Sequence, residues 1–353
     1  MMKTVHIDAS RSYDIYIGNG LLSRTAELVS GLGFGKKAMI VSDDTVAALY
    51  MTTLKAALTQ GGYECYEFVF EHGEQSKCAQ TYLALLDTLA QMHFDRSDVI
   101  FALGGGVVGD LSGFAAATYQ RGIRFVQIPT TLLAATDSSV GGKTAIDISA
   151  GKNLVGAFWQ PSAVICDPTL LDTLPEEYFS DGMAEVIKYA MIRDASLLDI
   201  IKGGTAKKNI IEVIRRCVSI KRDVVLEDER DTGIRAILNF GHTAAHSIEA
   251  ESCFNISHGR AVAIGMAIIT RASVKLGLCG ADAYRTLCGI LSDYSLPLEC
   301  EYDAQTIYEH ALSDKKRESS GISLVMCTGV GSCDVQKTPF EKVKQVFVLG
   351  TEK

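Results

Sequence analysis

Histidines are concentrated in one short segment of the chain: three of the seven, His242, His246 and His258, fall within seventeen residues. Imidazoles four residues apart leave the same face of a helix, and a turn through residues 254–257 would return His258 to that face. A catalytic zinc ion takes about three protein ligands, often two imidazoles and one carboxylate. Glu185, in a helical-looking segment, is the best candidate for the carboxylate. The alternative is that these are polar histidines on a helix surface.

A glycine pattern follows an apolar, strand-like run: Gly104, Gly106 and Gly109 precede an alanine-rich, helix-like run. In a strand–turn–helix context this spacing cradles a dinucleotide pyrophosphate against backbone N–H groups and a helix N-terminus. The alternative is a turn that lets a helix pack tightly on a sheet. The usual acidic residue about 20 positions later is missing. We therefore expect Asp43 or Glu74, which follow earlier strands, to bind the ribose.

A glycine-rich, cationic stretch spans residues 136–161, between the two domains expected from the sequence. Its small residues let backbone N–H groups approach a ligand, while Lys143, Lys152 and Asn153 supply donors for phosphate or carboxylate oxygens. Similar groups recur near the histidines: Lys188, Lys221, Arg235, Asn239 and Lys315. Each alone could be a solvated surface group, but together they predict an anionic ligand.

The texture of the chain changes near residue 174. Before it, β-rich runs alternate with helical stretches, which predicts an α/β domain with a largely parallel sheet over residues 1–174. After it, helical periodicity predicts a mainly α-helical domain over residues 175–353, and Pro175 before Glu176 suits a first helical turn. The β-rich runs are Ala38–Val41, Tyr63–Phe70, Asp98–Leu103, Arg124–Pro129 and Ala163–Cys166. The helical runs are Glu176–Met191, Ser196–Ile201, Lys207–Leu226, Ile234–Glu251, Arg260–Leu276, Ala281–Leu291 and Ala304–Ser313, with strand-like pieces at Ile322–Met326 and Val343–Val348.

Composition excludes several classes of protein. The chain has 353 residues, 47% of them hydrophobic and 22% charged, which is typical of a globular enzyme with two cores. A net charge of -8 argues against a general binder of nucleic acid or anionic membranes. The N-terminus lacks an apolar signal core, and no run approaches the ~18 apolar residues of a membrane span. Ten scattered cysteines without a C-x-x-C pair indicate reduced thiols, and we expect a cytoplasmic protein.

These motifs together closely resemble the 3-dehydroquinate synthase family over nearly the whole chain. The matching segments are G-E-Q-S-K at 73–77, G-G-G-V-V-G-D-L-S-G-F at 104–114, Q-I-P-T-T-L-L-A at 127–134, D-S-S-V-G-G-K-T at 137–144, G-K-N-L-V-G-A-F-W-Q-P at 151–161, M-A-E-V-I-K-Y at 183–189, L-N-F-G-H-T at 238–243 and H-G-R-A-V-A-I-G-M at 258–266. The resemblance implies a Rossmann-like NAD domain, a mainly α-helical metal-binding domain and a homodimer.

The resemblance also implies a role for each matching position. The metal, zinc or cobalt, falls on Glu185, His242 and His258, so His246 becomes a group on the substrate side. The implied NAD contacts are Asp43, Glu74, Lys77, Gly105, Gly106, Val107, Val108, Gly109, Asp110, Thr130, Thr131, Lys143, Lys152, Leu170, Thr173 and Leu174. The implied catalytic and substrate-binding residues are Asp137, Lys143, Lys152, Asn153, Lys188, Lys221, Asp231, Arg235, Asn239, His246 and Lys315 (or its neighbour Lys316), with Arg121 of the partner subunit.

The implied reaction converts 3-deoxy-D-arabino-heptulosonate 7-phosphate, a phosphorylated sugar acid, to 3-dehydroquinate and phosphate in the shikimate route. NAD oxidises the C5 hydroxyl, which makes the C6 hydrogen acidic so that phosphate can leave, and NADH then returns the hydride before ring opening and aldol closure. The metal holds vicinal hydroxyls as a Lewis acid. The substrate's own phosphate can serve as the base, which would explain why no dedicated carboxylate base stands out.

The chain departs from the family pattern at three positions. Arg260 stands where a Glu is usual after His258, Asp231 stands where a Glu is usual, and Ala245 replaces a Gly. A guanidinium near a dication is repelled unless it points away. We therefore expect Arg260 to face a nearby carboxylate, Glu249 or Glu251, and not the metal, aided by the backbone freedom of Gly259.

Three other functions fit the same motifs. A metal-dependent polyol dehydrogenase of the glycerol-dehydrogenase type would share the architecture but would accumulate NADH and would not need so many anion-binding groups. A related sugar-phosphate cyclase, such as 2-deoxy-scyllo-inosose synthase, would use the same transient transfer of a hydride to NAD and back, but on another substrate. A non-catalytic NAD-binding relative would have lost its metal because of Arg260.

Overall fold

The computed structural model describes residues 2–315 and 321–352, except the side chains of residues 313–315. The chain forms two compact units. The first comprises Met1–Pro175 together with Lys221–Leu226, and the second comprises Glu176–Ile220 and Glu227–Lys353. None of the described helices combines the length and the apolar composition that crossing a membrane requires.

A seven-stranded sheet forms the centre of the first unit. The strands of this unit are β1 Lys3–Asp8, β2 Ser12–Ile17, β3 Lys37–Asp43, β4 Glu64–Phe70, β5 Val99–Gly104, β6 Arg124–Pro129, β7 Lys143–Ile148, β8 Gly151–Phe158 and β9 Ala163–Cys166. Its helices are α1 Thr25–Val29, α2 Asp44–Gln60, α3 Ala79–Gln91 and α4 Gly106–Thr118. The sheet order is β1-β2-β9-β6-β5-β3-β4, parallel except for the β1–β2 pair.

The five β-rich runs predicted from the sequence all lie in this sheet. Strands β5 and β9 are buried along their whole length, which explains their near-continuous apolar sequences, because both faces of a parallel sheet are covered. The antiparallel pair β1–β2 at the sheet edge was not predicted. Its alternation of buried and exposed side chains is that of a strand with only one buried face.

The cationic stretch at 136–161 is not a connection between domains, as the sequence had suggested. It belongs to the first unit, and most of it forms the antiparallel hairpin β7–β8. Glycines, serines and lysines obscure the strand signal here, because these residues interrupt the apolar positions of both strands, such as Ile146 in β7 and Val155 in β8.

Helices dominate the second unit. They are α5 Glu176–Ile192, α6 Leu197–Ile201, α7 Ile210–Glu227, α8 His242–Glu251, α9 His258–Lys275, α10 Ala281–Asp293, α11 Ala304–Lys315 and α12 Phe340–Thr351. An antiparallel hairpin consists of β10 Ile322–Gly329 and β11 Ser332–Thr338. The predicted architecture, an α/β domain followed by a mainly helical one, is confirmed.

Two predictions in the second unit are wrong. The run Val343–Val348 lies in α12, where Val343, Val346, Phe347 and Gly350 are buried at helical spacing. The single helix predicted over Ile234–Glu251 is broken, because the 3-10 turn Ile234–Asn239 ends before Gly241, whose φ of 79° is left-handed. A new helix then begins at His242, so this break sets the direction in which that side chain leaves the backbone.

Candidate metal centre and active site

Three helices bring one carboxylate and two imidazoles together. Glu185, in the middle of α5, is 1% exposed, and His242 and His258 are the first residues of α8 and α9. The Nε2 atoms of His242 and His258 lie 3.5 and 3.3 Å from Oε1 of Glu185. Ligand atoms of a tetrahedral zinc ion with bonds of about 2.0–2.1 Å lie about 3.3 Å apart. The donor set and its spacing therefore fit a divalent metal.

The second nitrogen of each imidazole has an acceptor. Nδ1 of His242 lies 3.1 Å from the carbonyl oxygen of Phe240, and since a carbonyl only accepts, Nδ1 must carry the proton and Nε2 is left for a metal. Nδ1 of His258 lies 3.4 Å from Oε1 of the buried Glu249. A carboxylate at this position fixes the ring and makes the opposite nitrogen a stronger ligand.

The surroundings of the cluster shift the pKa values of its two histidines in opposite directions. Burial alone would lower the pKa of His258, but hydrogen bonds to Glu185 and Glu249 outweigh it and raise the pKa to about 10. The pKa of His242 is held well below its usual value by burial and by the nearby Lys188 and the other two imidazoles. Lys188, one turn after Glu185, pairs with Oε2 of that carboxylate. A metal at this site would replace the proton on His258.

Glycines allow the three helices to approach closely. A Cβ on Gly259 of α9 would lie 2.3 Å from the carbonyl oxygen of Asp181 in α5, and one on Gly265 would lie 2.1 Å from the carbonyl oxygen of Gly241. The expected backbone freedom of Gly259 is therefore not its role, because it lies inside α9 and supplies space instead. Without these contacts the first turns of α8 and α9 could not bring their histidines to Glu185.

His246 lies outside the cluster of ligand atoms. Its ring centroid is 5.6 Å from that of His242 and 6.4 Å from that of His258, and the group whose ligand atoms all fall within 4.8 Å of one another contains only Glu185, His242 and His258. The spacing of four residues places His242 and His246 on one side of α8. The Glu185 carboxylate, however, meets His242 of α8 and His258 of α9.

A tight loop between α7 and α8 fixes Arg235, whose side chain is 2% exposed. Asp228 accepts hydrogen bonds from the backbone N–H groups of Thr232, Gly233 and Arg235 at 2.9, 2.7 and 3.2 Å. These bonds lower the pKa of Asp228 to about 2. The Arg235 guanidinium donates to the Glu229 carbonyl at 2.5 Å. Asp228 was not singled out from the sequence, and Glu249 was named there as a partner of Arg260 and not of His258, although an Asp a few residues before Thr232-Gly233 is a turn signal.

The rest of this loop carries two further candidate residues. Asp231 has a left-handed backbone, with φ of 58°, and Asn239 is the exposed last residue of the 3-10 turn before Gly241. Lys315 is the last residue of α11, and its side chain and the neighbouring Lys316 lie outside the described residues.

In the first unit, candidate cofactor residues gather at the carboxyl ends of the parallel strands. Gly105 caps α4 directly after β5, and the Thr130 N–H, just after β6, donates to the Gly104 carbonyl at 3.0 Å. Gly105 also approaches Thr131, since an added Cβ would lie 3.0 Å from its methyl carbon. Ligands of open α/β sheets bind at this edge. Val107, Val108, Gly109 and Asp110 continue the first turns of α4.

The alternative interpretation of the glycine pattern, close packing of a helix on the sheet, also agrees with the structure. A Cβ on Gly109 would lie 2.7 Å from Oε1 of Gln127 on β6. Asp43, expected to bind a ribose, is the N-cap of α2 and accepts from the Val46 N–H at 2.8 Å. At the same edge, the Tyr50 hydroxyl bonds to the Leu170 carbonyl at 3.1 Å and lies 2.5 Å from the Thr173 hydroxyl, just before Leu174.

Lys77 connects two of the motifs. Its buried Nζ donates to Asp110 of α4 and to the side-chain oxygen of Asn153 in the hairpin, both at 2.6 Å. Burial opposes the charge of Lys77, but Asp110 and Glu74 outweigh it and raise its pKa. Asn153 has a left-handed φ of 56°, and its N–H donates to Asp147 at 2.8 Å.

The remaining cations of the first unit lie near the hairpin or near Asp137. Lys221 pairs with the Asp137 carboxylate and donates to the Asp137 carbonyl at 2.8 Å. Lys143 begins β7 and is exposed, and the charge of Lys152 in β8 acts on Glu74. Arg121 is exposed in a left-handed turn after α4, with φ of 66°.

Comparisons with known proteins agree with these motifs. Family models described as the 3-dehydroquinate synthase N-terminal and C-terminal domains match residues 67–181 and 182–317. The 3-dehydroquinate synthase of Clostridium acetobutylicum is 42% identical over 343 residues, which are 95% of this chain and 96% of that protein. The chain belongs to the 3-dehydroquinate synthase family.

Two solved structures of other cyclases are also similar to this member of the 3-dehydroquinate synthase family. A 2-deoxy-scyllo-inosose synthase complexed with carbaglucose-6-phosphate, NAD+ and Co2+ is 26% identical, with a TM-score of 0.87 over 98% of this chain and 99% of that chain. The 2-epi-5-epi-valiolone synthase ValA from Streptomyces hygroscopicus, with NAD+ and Zn2+ bound, is 25% identical, with a TM-score of 0.86 over 98% of each chain.

Arg260, the departure from the 3-dehydroquinate synthase family pattern, does not face the carboxylates expected from the sequence. Glu249 contacts His258, and Glu251 lies 2.6 Å from Nε2 of His310. Arg260 is exposed in the first turn of α9 and borders a cavity of about 370 Å³. The other residues around this cavity include the acids Glu176, Glu177 and Asp293 and the cation Lys207.

Loss of a ligand is expected to remove the metal. Glu185→Gln, His242→Ala and His258→Ala should each leave the purified protein nearly metal-free, because each removes one of three ligands. His246→Ala should keep most of its metal, since His246 lies outside the cluster. Elemental analysis of the purified variants measures this. A His246→Ala protein as metal-free as His242→Ala would make the pair spaced by four residues the ligand set.

Glu249 should tune the metal site through His258. Glu249→Gln is expected to weaken metal affinity by roughly 10- to 100-fold, because the carboxylate no longer orients the ring. Glu251→Gln is the matched control, since it lies on the same helix but contacts His310. Competition with a chelator gives both affinities. Equal effects of the two substitutions would refute the assignment.

Arg260 should have little influence on the metal. Arg260→Glu is expected to leave metal occupancy nearly unchanged and to alter turnover by less than about tenfold, or ~1.4 kcal/mol in the barrier. The reason is that Arg260 borders a cavity whose lining contains none of the three metal ligands. Metal content and steady-state rates test this. A much larger gain on restoring Glu would mean that the native arginine weakens the site.

Proposed function

We propose that the protein converts 3-deoxy-D-arabino-heptulosonate 7-phosphate to 3-dehydroquinate and phosphate, in the shikimate route to aromatic amino acids, using NAD and a divalent metal, zinc or cobalt. The observation that carries this proposal is the cluster of Glu185, His242 and His258 in a chain 42% identical to a named synthase. In this proposal residues 1–174 are the NAD-binding domain, and residues 175–353 bind the metal and the substrate.

The similar cyclases support the choice of cofactors. One was solved with NAD+ and Co2+ beside a sugar-phosphate analogue, and the other with NAD+ and Zn2+. When bound, NAD would take up and return a hydride, and the metal would act as a Lewis acid toward neighbouring hydroxyl groups. The protein's own residues must then bind the anionic substrate, hold it in register and manage its protons.

Buried cations suit this task. Lys188 and Arg235 are 1% and 2% exposed, and buried charges are costly unless they have partners of opposite charge. Lys188 pairs with Glu185, and the Arg235 guanidinium is aimed by a loop that Asp228 fixes. A substrate phosphate or carboxylate would add negative charge beside these cations, and a bidentate guanidinium contact would orient it. Asp137 and Lys221 form a second charged pair in the first unit.

The roles that the family resemblance implies for individual residues are part of this proposal. The NAD contacts run along the strand-end residues from Asp43 to Leu174, and the metal ligands are the three residues of the cluster. Substrate contacts fall on the cations and amides of the hairpin and of the second unit, including Asn153, Asn239 and His246. Ten free thiols support a cytoplasmic location.

A homodimer is also part of the proposal, and the hairpin β7–β8 suits the contact. Leu154, Val155 and Phe158 are 56, 37 and 46% exposed along β8, and Ile148 at the end of β7 is 40% exposed. Apolar side chains grouped on one exposed element commonly mark an interface with another protein. A second copy of the chain would cover this surface, and Arg121 of the partner subunit would then reach the substrate.

An assay of phosphate release tests the reaction. With the heptulosonate phosphate, divalent metal and a catalytic amount of NAD, the protein is expected to release inorganic phosphate without a steady rise in NADH absorbance, because the hydride is returned. Glu185→Gln is the inactive control. Stoichiometric NADH with a polyol would indicate a dehydrogenase, and phosphate release from glucose 6-phosphate alone would indicate a cyclase of the 2-deoxy-scyllo-inosose synthase type.

The proposed dimer contact can be tested separately. Phe158→Glu should shift the protein toward a monomer, because a charge at a buried apolar contact is costly. Leu83→Glu is the matched control, since Leu83 is 56% exposed on α3, outside the hairpin. Light scattering during gel filtration gives the mass of each. A dimeric Phe158→Glu protein at micromolar concentration would exclude this hairpin as the contact.

A further inference from the structure

Two cysteines face each other across the hairpin β10–β11 of the second unit. Cys327 on β10 is the register partner of Cys333 on β11, and both are buried. Directly opposed residues in antiparallel strands have Cα atoms about 4.5–5.5 Å apart. Disulfides join residues whose Cα atoms lie about 4.4–6.8 Å apart. The backbone of this hairpin is therefore already compatible with a disulfide, although both cysteines are free thiols in the structure.

A third thiol meets the same sulfur. Cys279 lies between α9 and α10 and is partly exposed, and its thiol hydrogen-bonds to Cys327. Cys327 also interacts with the Thr270 hydroxyl of α9, and its sulfur donates to the Gly329 carbonyl at 3.5 Å. Among the described residues, the group with metal-binding spacing is the Glu185 cluster alone, so the three thiols are not gathered around an ion. Cys327 instead stands between two possible sulfur partners.

The surroundings favour charge on the shared sulfur. Hydrogen bonds, first of all with Cys333, lower the pKa of Cys327 to about 7 against the effect of burial. Burial and the neighbouring Cys327 raise the pKa of Cys279 to about 12, and contact with Cys327 raises that of Cys333. The thiolate is the nucleophile in sulfur chemistry. Cys327 is thus the thiol of the three that would react first.

We propose that Cys279, Cys327 and Cys333 form a thiol oxidation site, at which a peroxide links Cys327 to Cys333 and the partly exposed Cys279 gives reductants access to the disulfide. This site is independent of the proposed synthase reaction. Because the disulfide would join residues that are already register partners, it requires no change in the pairing of the two strands.

The chemistry balances with hydrogen peroxide as the oxidant. The Cys327 thiolate attacks one peroxide oxygen, the O–O bond breaks, and a sulfenic acid and hydroxide form, the hydroxide taking up a proton to become water. The Cys333 sulfur then attacks the Cys327 sulfur, an S–S bond forms, and the sulfenic oxygen leaves as a second water. The two thiols lose two electrons, which the peroxide gains. Attack of the Cys279 sulfur on Cys327 moves the disulfide to Cys279–Cys327, and the Cys333 sulfur leaves and takes up the proton that Cys279 loses. An external dithiol then reduces the new disulfide at the partly exposed Cys279 and is itself oxidised to a disulfide.

Peptide mapping of the full-length protein tests the proposal. Trypsin releases Cys327 and Cys333 together in the peptide 318–337 and Cys279 in the peptide 276–285. After a few equivalents of hydrogen peroxide and alkylation of the remaining thiols, peptide 318–337 should be unalkylated and lighter by two hydrogens. Dithiothreitol should restore both alkylation sites, and the metal content should be unchanged.

Two variants identify the sulfurs. Cys333→Ser should redirect oxidation, so that peptides 276–285 and 318–337 become linked through Cys279 and Cys327. Cys300→Ser, which removes another partly buried thiol of the same unit, should leave the disulfide unchanged. The proposal is overturned if the unmodified protein yields peptide 318–337 alkylated at both cysteines, or oxidised to a sulfinic acid, while the exposed Cys253 has reacted. The result from the unmodified protein decides this even if a variant fails to fold.

Discussion

The second unit is organised around a buried negative charge. Glu185 lies in the middle of α5 with 1% of its surface exposed, and an ionised carboxylate in such a place is very costly unless positive charge accompanies it. Lys188 pairs with this carboxylate, and Nε2 of His258 lies 3.3 Å from its Oε1, at a spacing where a divalent metal would supply further positive charge. The first turns of α8 and α9 must therefore converge on one point of α5. This convergence requires glycine at the close helix contacts, at Gly259 and Gly265.

Sequence periodicity predicted most of the fold because burial and periodicity have the same cause in long amphipathic helices and fully covered strands. It failed where another cause dominates. Glycines and lysines interrupt the apolar residues of hairpin β7–β8, so its strands were not recognised, and the short run in α12 fits either period over six residues. The break at Gly241 was missed because a single left-handed glycine interrupts an otherwise helical pattern.

For the candidate site, the residue pattern alone identified candidate residues but did not predict which of them contact one another. Spacing alone favoured His242 and His246, whereas the structure brings Glu185 to His242 and His258, as the family resemblance implied. Glu249 was expected, as one of two candidates with Glu251, to face Arg260, and in the structure it contacts His258 instead, because of where α9 starts relative to α8. Such pairings depend on how separate helices pack, so local sequence could not predict them. The residues of the Asp228 loop, in contrast, are close in sequence, and their turn signal could have been recognised.

The ammonium group of Lys77 links the helix after the glycine loop to the hairpin β7–β8 in the first unit. Lys77 donates to Asp110, in the helix that follows the glycine loop, and to Asn153, in the hairpin. A molecule that drew Lys77 away from Asn153 would weaken this hydrogen bond, and its binding would then change the affinity of the hairpin for a second molecule. Thermodynamic reciprocity requires an equal effect in the opposite direction. Two ligands of this unit would thus raise or lower each other's affinity without touching each other. Lys77 would determine which of the two effects occurs.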